Sequence, residues 1–398
     1  SKKGISIYKN GKFNNYTYKE LGGSPDIWCI AEDKKGNYYF GTGNGLLIYN
    51  GSSFKRITCR DILNPMNTVF DVFIDENDVV WLGTQAGVAR AIDGYIQPYD
   101  KVSITKNYVN KIIQDKEGKL WFGTDDGLYK YNGKTIVHFT EKEGFTTKRV
   151  RGIAKDNNGD LWFATSNGVY KYSNYKFINI SEAAKLTSND INSVVVDRKG
   201  VTWIGLENGI ERIELENGKY KVKHYDVEDG FLGQECSQNG MMIDAAGRLN
   251  IAASKGLVVY QEEHDKENAL EPTTIINRID LFFQETKWET FADSVFNNIP
   301  QELELPYDKN YLTFHFIGVS QTTPLKVTYK YMMKGVDQDW RISSKTEASY
   351  SNLPHGTYEF MVMANNGEGV WNKEPVVFKF TVKPPLWRTW WFYSIILL

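Results

Sequence analysis

Short runs of alternating apolar and polar residues, each four to six long and separated by glycine-, asparagine- or aspartate-bearing turns, fill the first 260 positions of the chain. That period of two predicts β-strands packed on one another, not helices. The runs recur in a fixed frame, D-x-x-G-x-x-W-x-G-T-x-x-G-[LV]. It reads DKKGNYYFGTGNGL (33–46), DENDVVWLGTQAGV (75–88), DKEGKLWFGTDDGL (115–128), DNNGDLWFATSNGV (156–169), DRKGVTWIGLENGI (197–210) and, degraded, DAAGRLNIAASKGL (244–257). Its leading aspartates stand 42, 40, 41, 41 and 47 residues apart. A period of about 40 residues marks a repeat architecture.

Each unit reads as four strands. An apolar strand such as VNKII (109–113) precedes the aspartate, which caps a tight turn with Gly or Asp three residues on. The tryptophan strand follows, then a glycine turn, then strands such as GLYKY (127–131) and KTIVHF (134–139). A lone four-stranded sheet cannot bury both faces, whereas copies ringed about an axis can, so residues 1–260 are expected to form a β-propeller. Six repeats are complete in their central strands. Residues 4–18 supply either the outer strands of an incomplete first blade or the missing strand of the last, and both options give seven positions.

The repeat stops after Tyr260. A polar stretch (261–272) reads as a linker, and residues 273–383 alternate as TIINRIDLFF, NYLTFHFIGV, KVTYKYMMKGV, GTYEFMVMAN and PVVFKFTVK. Short strands with Gly, Pro and Asn turns over this length fit an immunoglobulin-like β-sandwich. The fold class expected is therefore all-β, a seven-bladed propeller followed by a sandwich. Residues 384–389 (PPLWRT) read as juxtamembrane, and the uncharged WWFYSIILL (390–398) reads as the start of a transmembrane helix.

Composition narrows the function. Among 398 residues, 47 Lys and Arg face 49 Asp and Glu, with no basic block, so nucleic acid contact by this chain is not expected. The 3 cysteines are far apart and the 5 histidines scattered, so neither a disulfide framework nor a metal cluster is indicated, and no cofactor is expected.

The quoted repeats resemble those of two-component regulator propellers. The tract from Leu303 to Lys383, with YKYMMKGVDQDW and YSNLPHGTYEFMVMANNGEGVW, is similar to the three-tyrosine domain that follows them in large bacterial sensors. Departures are Tyr39 for the first Trp, Leu206 for Thr and Asn250 for the last Trp. The resemblance implies the periplasmic sensor region of a Bacteroides-type hybrid two-component system on a single-pass inner-membrane anchor, detecting glycan-derived oligosaccharides. Because such a receptor signals by changing the relation between two helices, a homodimer is expected. A cytoplasmic histidine kinase and transcription regulation would lie beyond the membrane.

Catalysis finds little support. The repeat aspartates suit turns, while Asp125, Asp126 and Glu207 form no argued acid–base pair, and His138 and His224 fall on outer strands. The alternatives are a propeller lyase, tested at Glu207 or His224, and a protein-binding scaffold. In a four-stranded blade the loop leading into the innermost strand and the loop between strands two and three open on one face. A sugar needs an aromatic surface and planar hydrogen-bonding groups there. The candidates are Trp28 and Tyr108 for stacking, Arg149 and Arg151 for acidic groups, and Asn44, Asp125, Asp126, Asn167 and Glu207 for hydroxyls.

Overall fold

The computed structural model describes residues 4–23, 26–101, 104, 107–147, 149–266, 268–321 and 324–388. The transmembrane segment expected at 390–398 lies outside them. Among the described residues no helix is long and apolar enough to cross a membrane. The chain divides into two compact units, Ser1–Gln261 and Glu262–Leu398.

Among the described residues the first unit holds seven sheets, here blades 1 to 7 in chain order. Blade 1 is a two-stranded hairpin (Gly4–Lys9, Lys12–Thr17), blades 2 to 6 are four-stranded antiparallel meanders starting at Ile27, Val69, Val109, Val150 and Ser193, and blade 7 has three strands from Cys236 to Val259. The propeller expected from the repeat is thus observed. Faces alternate along each strand, as the pleat requires. In blade 2, Leu47 and Tyr49 pack with Ile5, Ile7 and Tyr16 of blade 1. Their neighbours Leu46 and Ile48 pack with Val72 and Leu82 of blade 3.

The repeat aspartate does more than turn the chain. In each turn one carboxylate oxygen accepts two backbone amides; for Asp115 these are Glu117 and Lys119, both at 2.9 Å. The other oxygen accepts the indole N–H six residues on. Asp75–Trp81, Asp115–Trp121, Asp156–Trp162 and Asp197–Trp203 do so at 2.9, 2.7, 3.1 and 3.1 Å. Where the tryptophan is replaced the bond survives in other hands: the Tyr39 hydroxyl donates to Asp33 at 3.2 Å, and Arg248 Nε to Asp244 at 2.8 Å.

A cation completes the arrangement. Arg90, Lys130, Lys171 and Arg212 stand directly across the ladder from the four tryptophans and lie over their rings at 5.4, 4.6, 5.0 and 5.7 Å. Lys130 and Lys171 also pair with Asp115 and Asp156 at 3.3 and 3.0 Å. Burial pushes the Asp115 carboxyl up, but the Trp121 indole, the Lys119 amide and the Lys130 ammonium outweigh it and hold the group below the usual carboxylate range.

The frame's threonine closes the next turn. Thr42, Thr84, Thr124 and Thr165 donate to the carbonyls of Gly45, Gly87, Gly127 and Gly168 at 2.6–2.8 Å. Leu206 cannot, and there the backbone alone closes the turn, Leu206 N–H to Gly209 carbonyl at 3.0 Å. Glycine is required at the last position: Gly209 has φ +93°, and a Cβ would sit 2.1 Å from the Tyr225 carbonyl oxygen.

The second unit is a sandwich, as expected. Thr273–Leu281, Gln284–Glu285, Leu312–Val319 and Glu347–Tyr350 form one sheet. Leu303–Leu305, Thr328–Lys334, Arg341–Ser343, Gly356–Asn365 and Val376–Val382 form the other. Phe314, Phe316, Phe360 and Phe380 fill the space between. The stretch read as a linker is in part bound to this unit: the Asn366 amide donates to the carbonyls of Asn268 and Leu270 at 2.5 and 3.1 Å. The tyrosines anchor its edges. Tyr358 donates to the Pro354 carbonyl at 2.7 Å, and Tyr350 donates to Asp337, which also pairs with Arg341 and accepts the Met333 amide at 2.8 Å. Burial and the Asp337 carboxylate push the Tyr350 phenol well above its ordinary value.

Three outcomes follow for stability. Asp115→Ala removes two amide caps and the indole's acceptor, and should cost the first unit about 2–4 kcal/mol in urea denaturation. Because the Asp115 and Asp156 carboxyls titrate lower in the folded chain than unfolded, their contribution is complete above about pH 4 and lost as pH falls through the depressed values. Stability measured from pH 5 downward should therefore fall less steeply in Asp115→Asn/Asp156→Asn. Asp337→Ala strands the Tyr350 hydroxyl and should cost the second unit about 2–4 kcal/mol, read as a shift of its urea transition alone.

Candidate functional site

The two sets of loops do share a face. The backbone amides of Gly43, Gln85, Asp125 and Ser166, each just past the tryptophan strand, donate to the carbonyls of Asp26, Thr68, Tyr108 and Arg149 at 3.0–3.3 Å. Beside this seam the innermost strand of blades 2 to 5 carries a β-bulge, placed by register shifts at Ile27/Cys29, Val69/Asp71, Val109/Lys111 and Val150/Gly152. A bulge re-aims one side chain. The residues concerned are Trp28, Phe70, Asn110 and Arg151, and Asn192 and Asn239 hold the same place in blades 6 and 7. All six lie five residues before a repeat aspartate.

This ring has two chemically distinct halves. In the polar half each side chain reaches backbone of the next blade. Asn110 donates to the Val150 carbonyl at 3.0 Å, Arg151 to the Ile191 carbonyl at 3.2 Å, and Asn192 to the Cys236 carbonyl at 3.0 Å. Asn239 crosses further, donating to the Asn110 carbonyl at 3.0 Å. Arg151 is mostly buried and is also paired with Asp190 and with the Asn192 side-chain oxygen at 3.2 Å. These groups join the blades.

The aromatic half is different. Trp28 meets Phe70 edge-on at 5.6 Å, and Phe70 meets Tyr108 at 5.5 Å, so three rings span three consecutive blades. The two outer rings remain open, Trp28 at 51% and Tyr108 at 40% exposed, and Phe70 between them is partly buried. Gln85 donates to the Tyr108 hydroxyl at 3.4 Å. At the end of the row, Asp125 accepts from Asn110 at 2.7 Å and pairs with the exposed Arg149 at 3.2 Å.

The sequence candidates are thus placed unevenly. Trp28 and Tyr108 are brought into one row through Phe70, which sequence reasoning missed, and Arg149 and Asp125 are brought together at its edge. Arg151 is committed to Asp190 and to the blade joint. Asp126 is held by Asn107 at 3.5 Å, and its carbonyl accepts from His138 at 2.8 Å. Asn44 has its backbone carbonyl bound by Arg56 at 2.5 Å, and Asn167 is exposed on a turn fixed by Thr165.

Glu207 lines a separate cleft of about 760 Å³ with Thr187, His224, Gln234, Glu235 and Ser254. Next to it Glu211 is fully buried and accepts from the Thr187 hydroxyl at 2.6 Å, with His224 Nδ1 3.5 Å away. Among the described residues no group of three or more His, Cys, Asp or Glu is disposed to hold a metal ion.

Comparison with known proteins agrees with this architecture. The two component regulator propeller family model matches residues 21–44, 103–126 and 144–167, and the Y_Y_Y domain model matches 320–383. Histidine kinase P4 of Formosa agariphila is 25% identical over 175 residues, 43% of this chain and 13% of that protein. The extracellular domain of a protein described as a hybrid two component system of B. thetaiotaomicron superposes with a TM-score of 0.80 at 23% identity, over 96% of this chain and 53% of that one. Virginiamycin B lyase from Staphylococcus aureus gives a TM-score of 0.51 at 17% identity, over 65% of this chain and 87% of that one. The chain therefore spans about half the length of the first structure and a small part of the curated relative. Repeats, domain order and fold agree: the chain carries repeats matched by the two component regulator propeller model and, after them, a tract matched by the Y_Y_Y domain model.

Proposed function

We propose that the chain is the periplasmic ligand-sensing part of a membrane-bound two-component sensor, and that its ligand is a glycan-derived oligosaccharide bound at the open aromatic row of the propeller mouth. The observation that carries this reading is the row itself. Trp28, Phe70 and Tyr108 offer an apolar surface to the C–H face of a sugar ring, with Gln85, Asp125 and Arg149 beside it for hydroxyls. The matched propeller repeats and Y_Y_Y domain, and the likeness to a histidine kinase and to a two-component extracellular domain, support a signalling role over a catalytic one.

In this reading Arg149 is the group facing an acidic substituent, and Arg151 is a joint between blades. Binding would favour one of two arrangements of the receptor, and the change would pass through the Y_Y_Y domain and residues 384–389 to a membrane helix and a histidine kinase. Such a receptor signals by altering the relation between two copies, so a homodimer belongs to the proposal.

Calorimetry against a panel of oligosaccharides tests it. A defined oligosaccharide should bind without being consumed, and Trp28→Ala or Tyr108→Ala should weaken it roughly 10- to 100-fold at unchanged stability. Arg151→Ala should instead lower the first unit's stability. Binding unaffected by Trp28→Ala, or a product formed from the sugar, would contradict the proposal. Sedimentation should show a concentration-dependent dimer, and a monomer at every concentration would remove that part of it.

A further inference from the structure

The hairpin between Thr273–Leu281 and Gln284–Glu285 turns through two residues, since Leu281 pairs directly with Gln284. Those two residues are Phe282 and Phe283, both left-handed, with φ of 51° and 60°. Two-residue hairpins of this kind favour Asn-Gly, and a bulky ring is rare in that conformation. Burial does not compensate, because Phe282 is 43% and Phe283 69% exposed. Turn chemistry and core packing both select against phenylalanine here, so its presence needs a reason outside the fold.

The neighbours suggest one. The Phe282 amide donates to the Tyr311 carbonyl at 3.1 Å, the Phe283 and Tyr311 rings lie 4.5 Å apart, and Lys309 Nζ is 5.6 Å from the Phe282 ring. Further along the same loop Tyr307 meets Trp387 edge-on at 5.1 Å, and both are about half exposed. One end of the second unit thus displays a band of aromatic rings with Lys309 and Arg388 along it, and in the chain Asp308 and Glu285 adjoin these segments. From this same end the sequence runs on as TWWFYSIILL, ten residues without a charge.

We propose that this end is a bilayer-interface anchor, with Phe282 and Phe283 inserted among lipid headgroups and Tyr307, Tyr311 and Trp387 flanking them. Exposed aromatics beside long cationic side chains, next to an uncharged run, are what a membrane interface selects. Phe282 and Phe283 at the tip supply apolar area that the fold itself does not use. The inference rests on the membrane-adjacent part of the proposed function and is independent of the ligand.

The test compares the 398-residue chain with Phe282→Asn/Phe283→Gly in sedimentation with phosphatidylcholine vesicles. Both chains carry residues 389–398, so the difference isolates the hairpin. The variant should partition about tenfold or more weakly, at an equal or higher Tm because Asn-Gly suits the turn. Phe283→Ser should show a smaller loss in the same direction, and serves if the double variant folds poorly. Equal partitioning of all three chains overturns the proposal. So does unchanged partitioning accompanied by loss of self-association in the variant without vesicles, which would make the band a contact between two copies.

Discussion

A single carboxylate organises each of blades 2 to 7. One oxygen of the repeat aspartate fixes the turn between the first two strands, and the other holds the indole of the second strand by its N–H. A buried indole needs such a partner, and a buried carboxylate needs donors or a cation. The lysine or arginine across the ladder covers the ring, and Lys130 and Lys171 also supply that charge to Asp115 and Asp156. Every component satisfies another, so a polar group sits inside an all-β core at little net cost. The end repeats retain the bond after losing the tryptophan, through Tyr39 and Arg248, which shows that the geometry matters more than the residue.

Fixing that turn also fixes what lies upstream of it. The residue five places before the aspartate falls at the bulge in blades 2 to 5 and at the register shift of blade 7, on the side of the propeller mouth. Four of the six, from Asn110 to Asn239, are spent on hydrogen bonds between blades. The other two, Trp28 and Phe70, meet each other edge-on, and Trp28 leaves a face open. The mouth of the first unit is therefore asymmetric, one side locked and polar, the other accessible and apolar. That asymmetry is the physical ground for placing a sugar on the aromatic side.

The propeller was legible because its aspartate, tryptophan and glycine positions repeat with the blade, and the sandwich because its five long strands alternate cleanly. The short strands 284–285, 299–301 and 341–343 carry too few residues for a period to show. The site was less legible. Phe70 stands in a ring whose members share a place in the repeat but no single residue type, so no motif marks it. The spacing of five before the aspartate was the available signal. A second was the cation nine residues after each of the four tryptophans. Arg151 looked available in the sequence because its partner, Asp190, is 39 residues away and meets it only across the blade joint. Phe282 and Phe283 read as the end of a strand, since nothing in turn chemistry would place them at a hairpin tip.

The measurement that bears most directly on the central claim is hydrogen-exchange footprinting of the chain with and without an oligosaccharide that shifts its Tm. The account predicts slowed exchange around residues 26–29, 68–71 and 107–111, where the aromatic row crosses three blades. Protection confined to the cleft around Glu207, or to the second unit, would contradict it.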